Sequence, residues 1–124
     1  MTGAQSILVV EDNRDTLELI GRMLDKSDYN IVLTNHAYDA LEALENADIQ
    51  LMLIDINLPR VSGIELLQQI RENANFATIP AIAITANAVS ASRTICLEAG
   101  FNEHITKPVT RNELIDVIDA MLNN

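Results

Sequence analysis

The chain has 124 residues, 48% of them hydrophobic and 21% charged. That length suits one domain, and that composition excludes a disordered chain. Eight basic residues against 18 acidic ones leave a formal charge of −10, which repels phosphate backbones and anionic lipid and so argues against direct contact with nucleic acid or membrane. The single cysteine, Cys96, excludes an internal disulfide and a Cys-ligated zinc cluster and suits a reducing, cytoplasmic setting; no apolar run approaches the ~18 residues of a bilayer span.

Ile7 to Val10 is a short, continuous apolar run, the pattern of a strand buried on both faces. Leu17, Ile20, Gly21 and Leu24 follow at i, i+3, i+4, i+7, the stripe of a helix that packs one face on a sheet. The alternation then repeats. Ile31 to Leu33 reads as a strand, and Ala37, Ala40, Leu41 and Leu44 as a helix stripe. Leu51 to Ile54 and then Gly63, Leu66, Leu67 and Ile70 give the third pair. Ala81 to Ile84 is the fourth strand; the helix after it, between Asn87 and Gly100, has a paler stripe of Val89, Ile95 and Leu97, with Gly100 as its left-handed terminator. Glu103 to Thr106 is a weaker fifth strand, and Leu114, Val117, Ile118 and Met121 mark the last helix. Strict strand–helix alternation predicts an α/β domain with a five-stranded parallel sheet and right-handed crossovers. Residues 1–124 read as one domain with a core of about 6–122, and no output domain fits within them.

In open α/β sheets ligands bind beyond the carboxyl ends of the strands. Glu11 and Asp12 follow the first strand, Asp55 and Asn57 the third, Thr85 and Asn87 the fourth, Lys107 and Pro108 the fifth. Each has a bland reading: Asp12 as a helix cap, Thr85 as one more β-branched strand residue, Lys107 as a surface lysine. Their coincidence at one sheet edge favours chemistry. Carboxylates held about 4 Å apart at an effective dielectric near 20 repel by roughly 4 kcal/mol a pair before screening. A raised pKa or a bound cation relieves that repulsion. All-oxygen ligands suit Mg²⁺, with Mn²⁺ as its substitute. A carboxylate beside a hard dication and an ammonium is what an incoming phosphoryl group requires.

The stretches Ile7-Leu-Val-Val-Glu-Asp-Asn13, Leu53-Ile-Asp-Ile-Asn-Leu-Pro-Arg-Val-Ser-Gly63, Ile82-Ala-Ile-Thr-Ala86 and Gly100-Phe-Asn-Glu-His-Ile-Thr-Lys-Pro108, in this order and at these spacings, resemble the receiver domain of two-component response regulators, the CheY-like superfamily. The resemblance covers residues 6–122. It implies a flavodoxin-like (βα)5 fold with strand order 2-1-3-4-5. It implies Asp55 as phosphoacceptor and a Mg²⁺ held by Asp12, Asp55 and the backbone carbonyl of Asn57, with Glu11 acting through metal-bound water. Lys107 would pair with the phosphoryl group or with Asp55, and Thr85 would donate its hydroxyl after transfer. The Lys107–Pro108 peptide bond is expected to be cis, and Gly63 to open the third helix. Asn57 and Asn87 would tune hydrolysis of the acyl phosphate. The implied partners are a histidine kinase or histidine phosphotransfer protein and a downstream protein that reads the α4-β5-α5 face.

One position departs from the family. Where a Tyr or Phe commonly serves as the aromatic half of the switch, three residues before Lys107, this chain has His104; an inward-turning switch residue and an exposed polar one both stay open. Cys96 reads as a small, partly buried helix residue and His36 as a surface or capping residue.

Two other function classes share part of this pattern. Asp55-Ile56-Asn57 is similar to the Asp-x-Asp signature of haloacid-dehalogenase-like phosphatases, but the Asn57 amide cannot act as the acid that protonates a leaving group, and the motif lies on the third strand and not the first. A nucleotide or flavin binder of like topology would need a Gly-rich loop after a strand, and none follows any of them. The expected role is therefore a phosphoacceptor switch, either a complete single-domain regulator or a receiver cut from a hybrid histidine kinase, that acts on no turnover substrate.

Overall fold

Each apolar run becomes a strand and each helical stripe a helix. The computed structural model describes residues 5–25, 27–86 and 90–122, and of residues 90–93 the backbone only. The order is β1 (Ser6–Val10), α1 (Arg14–Leu24), β2 (Asn30–Thr34), α2 (Ala37–Asn46), β3 (Leu51–Asp55), α3 (Gly63–Glu72), β4 (Ala81–Thr85), α4 (Ser90–Ala99), β5 (Glu103–Thr106) and α5 (Arg111–Leu122). The strands form one parallel sheet in the order β2-β1-β3-β4-β5, a doubly wound α/β fold. Among the described residues no helix is long and apolar enough to cross a membrane.

The two faces of the sheet bury separate cores, because successive strand residues point to opposite sides. Leu8, Val10, Met52, Ile54 and Ala83 pack with α2, α3 and α4 through Leu44, Leu66, Leu67, Ile70 and Cys96. Ile7, Val9, Leu53, Ile82, Ile84 and Ile105 pack with α1 and α5 through Ile20, Leu24, Leu114 and Ile118. The central strands β3 and β4 are buried at every position, which is why their sequences lack polar alternation.

Local sequence sets where the helices begin and end. Asn13 caps α1, its side-chain oxygen accepting the Thr16 N–H at 3.0 Å. Ser62 accepts the Glu65 N–H at 3.2 Å and Thr110 the Glu113 N–H at 3.3 Å; both stand three residues before a Glu, the spacing of a capping box. His36 caps α2 through Nδ1, which accepts the Tyr38 N–H at 3.1 Å. Gly100, at φ +109°, ends α4 in a Schellman motif: the Phe101 N–H reaches Cys96 O at 3.0 Å and the Gly100 N–H reaches Leu97 O at 3.2 Å.

Two expectations shift. Asp55 and Thr85 belong to β3 and β4 and do not lie beyond them, because the ladder continues through Ile56 N–H to Ile84 O (3.0 Å) and Lys107 N–H to Thr85 O (2.7 Å). The pale stripe of α4 is also reassigned: Ile95 and Leu97 are 52% and 45% exposed, and Cys96 between them is buried in the core. An alanine-rich helix shows little contrast between its faces, so one small buried thiol decides the packing side. Val89 lies outside the described residues.

Candidate phosphoacceptor and metal site

Sheet topology brings the strand ends together. β1 and β4 both flank β3, and β5 flanks β4, so residues from four separate sequence stretches meet at one rim. Glu11 continues β1, its N–H held by Thr34 O at 3.1 Å, and is fully buried, as is Asp55 within 2%. Asp12, the next residue, is exposed. One carboxylate oxygen from each of Glu11, Asp12 and Asp55 lies within 4.8 Å of the others.

Lys107 reaches into this cluster from the end of β5. Its Nζ stands 3.2 Å from Asp55 Oδ2 and 3.1 Å from Glu11 Oε1. The Asp55 contact is a hydrogen bond. The Glu11 contact is charge against charge without hydrogen-bond alignment, which leaves Oε1 buried and unsatisfied among the described residues. The other Glu11 oxygen accepts the Asn13 N–H at 3.0 Å, and Asp55 Oδ1 accepts the Asn57 N–H at 2.8 Å. Thr85 is buried at the end of β4, level with Thr106. The Lys107–Pro108 bond is cis.

These contacts explain the titration of the site. Burial first, then the hydrogen bond its acid form makes with Asp55, raise the pKa of Glu11 from 4.5 to about 7, against the opposing pull of the Asn13 N–H and Lys107. Burial alone would lower Lys107, but the Glu11 and Asp55 carboxylates beside its ammonium raise it overall. In the metal-free protein the folded state therefore favours a protonated Glu11. This stabilises at pH below 4.5, and the stabilisation is lost as pH rises through 7. Glu11→Gln removes the titration: relative to wild type in EDTA, it is expected to gain stability on going from pH 4.5 to 8, on the order of 3 kcal/mol. Urea denaturation at the two pH values measures this, and parallel pH curves for the two proteins would refute it.

The donor set fits a hard dication. It is all oxygen and carries three carboxylates, and one buried carboxylate oxygen lacks a hydrogen bond. The resemblance separates the two acids after β1 by role, but the residue pattern does not separate them by depth. Burial distinguishes Glu11 from Asp12, and Lys107 joins Glu11 as closely as Asp55.

The loop after β3 supports the site from below. Gly63 donates its N–H to Ile56 O at 2.8 Å, and a Cβ on it would stand 2.3 Å from Asp55 O and 2.8 Å from Ile56 Cα. Arg60 holds a left-handed φ of +67° in a three-residue turn closed by Val61 N–H to Pro59 O at 2.7 Å. His104 sits on β5 level with Ala83 and is half-buried. Its Nδ1 is buried, lies 3.6 Å from Glu103 Oε1 and has no hydrogen bond among the described residues. Asn57 is exposed beside Asp55, and Asn87 lies outside the described residues.

The chain matches the response regulator receiver domain family over residues 7–119. It is 38% identical over 112 residues to an uncharacterized 14.6 kDa protein of Leptolyngbya boryana, covering 90% of this chain and 86% of that one. It is 36% identical over 116 residues to the sensor histidine kinase RcsC of Escherichia coli, covering 94% of this chain but only 12% of RcsC. The crystal structure of the receiver domain of sensor histidine kinase PA1611 from Pseudomonas aeruginosa, which has a magnesium ion coordinated in its active-site cleft, superimposes with a TM-score of 0.88 at 33% identity, covering 98% of this chain and 99% of that one. The chain thus belongs to the response regulator receiver domains, the phosphoacceptor signalling modules of two-component systems.

Proposed function

We propose that residues 6–122 form a single receiver domain that accepts a phosphoryl group on Asp55 from a phosphohistidine donor and changes partner affinity through the α4-β5-α5 face. The observation that carries this reading is the meeting of Glu11, Asp12 and Asp55 within 4.8 Å, with Lys107 Nζ at 3.2 Å from Asp55. An Asp55 carboxylate oxygen attacks phosphorus in line. The new O–P bond forms as the donor's N–P bond breaks, and the imidazole leaves with the electron pair. Lys107 neutralises charge on the incoming phosphoryl oxygens. Asp12, Asp55 and the Asn57 carbonyl would hold Mg²⁺, or Mn²⁺ in its place, with Glu11 acting through a bound water. Bound there, the ion supplies Lewis-acid charge to the same oxygens.

Thr85 then donates its hydroxyl to the phosphoryl group, and His104 turns toward the space Thr85 vacates. Exposed Ile95 and Leu97 give α4 an apolar surface for a partner to cover. The donor is a histidine kinase or a histidine phosphotransfer protein in the cytoplasm. The chain promotes only its own labelling and hydrolysis, with no separate substrate.

Incubation with acetyl phosphate and Mg²⁺, followed by intact mass, tests this reading. One adduct of about 80 Da is expected, a single phosphoryl group, and none in EDTA. An adduct formed equally well in EDTA would overturn the metal's role. Thr85→Ala is expected to label at Asp55 while losing most of the phosphorylation-dependent NMR shifts in β5. Undiminished shifts would remove Thr85 from the switch.

A further inference from the structure

Among the described residues β2 is an outer strand of the sheet, paired only with β1. The Asn30 N–H reaches Gln5 O at 2.9 Å and Thr34 O accepts the Glu11 N–H at 3.1 Å, so alternate residues Asn30, Val32 and Thr34 face β1. Ile31 and Leu33 turn their backbone N–H and C=O groups outward. An open edge is usually guarded by proline, charge or a bulge. β2 has none of these: its sequence is Asn-Ile-Val-Leu-Thr and its register with β1 runs unbroken from Ser6–Asn30 to Val10–Thr34. The opposite edge, β5, carries Glu103 and His104.

Two grooves flank this edge, one of about 580 Å³ between α1 and β2 and one of about 660 Å³ between β2 and α2. Leu33, 43% exposed, lines both. Glu18, Asp25 and Arg22 border the first groove, and Asp39 and Glu42 the second. Four acids against one base make the rim anionic. Two copies paired edge to edge would set these acids against their duplicates, so the charge rejects self-pairing and selects a cation-bearing strand.

We propose that the β2 edge docks an extended cationic segment of a partner protein as an added strand. The segment's backbone pairs with Ile31 and Leu33, its Lys or Arg side chains meet the rim acids, and an apolar side chain lies beside Leu33. This surface is independent of the chemistry at Asp55.

The test titrates a fluorescein-labelled, capped Lys-Val-Lys-Val-Lys-Val peptide into the full chain, read by anisotropy and by amide NMR. Binding is expected to shift and protect the Ile31 and Leu33 amides and to weaken with salt, and a Glu-Val-Glu-Val-Glu-Val peptide is expected not to bind. Two further probes carry N-methyl groups on one or the other alternate set of peptide nitrogens. One of them is expected to bind about tenfold more weakly, the loss of two hydrogen bonds. Leu33→Pro removes an outward N–H without touching the ladder to β1 and is expected to weaken binding similarly. Because the N-methylated probes use the wild-type chain, the test stands even if that variant misfolds. The proposal is overturned by no binding, by shifts confined to the neighbourhood of Asp12 and Asp55, or by equal affinity for both N-methylated probes. A wild-type dimer in sedimentation that protects the same two amides would assign the edge to a second copy and overturn it as well.

Discussion

An Asp55→Ala chain is expected to take up no phosphoryl group from acetyl phosphate and Mg²⁺ while remaining folded. No neighbouring acid can take over. Glu11 is fully buried, with one oxygen on the Asn13 N–H and the other against Lys107, and Asp12 is the exposed member of the cluster. Truncating a buried group in a core ordinarily destabilises by opening a cavity. Here it also removes a carboxylate from beside Glu11, whose acid form Asp55 favours. In EDTA at pH 8 the melting temperature is therefore expected to hold or rise. Intact mass and a thermal melt measure the two halves. A full-sized adduct on the variant would remove Asp55 from the phosphoacceptor role, and a large fall in melting temperature would show that packing outweighs charge relief.

The second large effect is expected from Gly63→Ala. The added Cβ meets backbone, not the tip of a flexible side chain, at 2.3 Å from Asp55 O and 2.8 Å from Ile56 Cα. The start of α3 must then move off the end of β3, which also breaks the Gly63 N–H to Ile56 O bond of 2.8 Å. Overpacking of this kind costs about 1–3 kcal/mol and the lost hydrogen bond about 1 kcal/mol more. The better helix propensity of alanine returns at most about 1 kcal/mol. A net loss of roughly 2 kcal/mol or more corresponds to a melting temperature lower by about 10 °C. Because the strained contact is with Asp55 itself, labelling is expected to slow as well. An alanine chain that melts within a degree or two of wild type would show that the loop yields freely at this point.

The fold was legible because its signals are local and repeated. Four apolar runs, a weaker fifth strand and five helical stripes alternate without a break, and the strand and helix bounds follow them within a residue or two at most of the ends. The strand order came through the resemblance carried by four motifs, since periodicity says nothing about which strand lies beside which. The residues at the sheet rim were also legible, because polar groups follow four strands at one edge, a coincidence that outweighs the bland reading each has alone. Less accessible were properties set by depth. Glu11 and Asp12 are adjacent and chemically alike, yet the pleat buries the first and exposes the second. The bridging of two acids by Lys107 depends on the reach of one side chain across two strands. Gly63 reads as a helix opener in the sequence, but its crowding against Asp55 depends on backbone approach, which no pattern of side chains encodes. In α4 the larger hydrophobic residues Ile95 and Leu97 suggest the stripe, but the small thiol of Cys96 is what the core buries.

The division of the interior into two cores gives β5 a particular part in any response. His104 lies level with Ala83, which packs toward α2, α3 and α4, and its neighbour Ile105 packs toward α1 and α5. Consecutive residues of one short strand thus face opposite layers. Under the switch proposed above, a rotation of His104 would act on the α4 side while Ile105 stays seated in the α1–α5 core, so that one half of the molecule would be remodelled on the other as a fixed foundation.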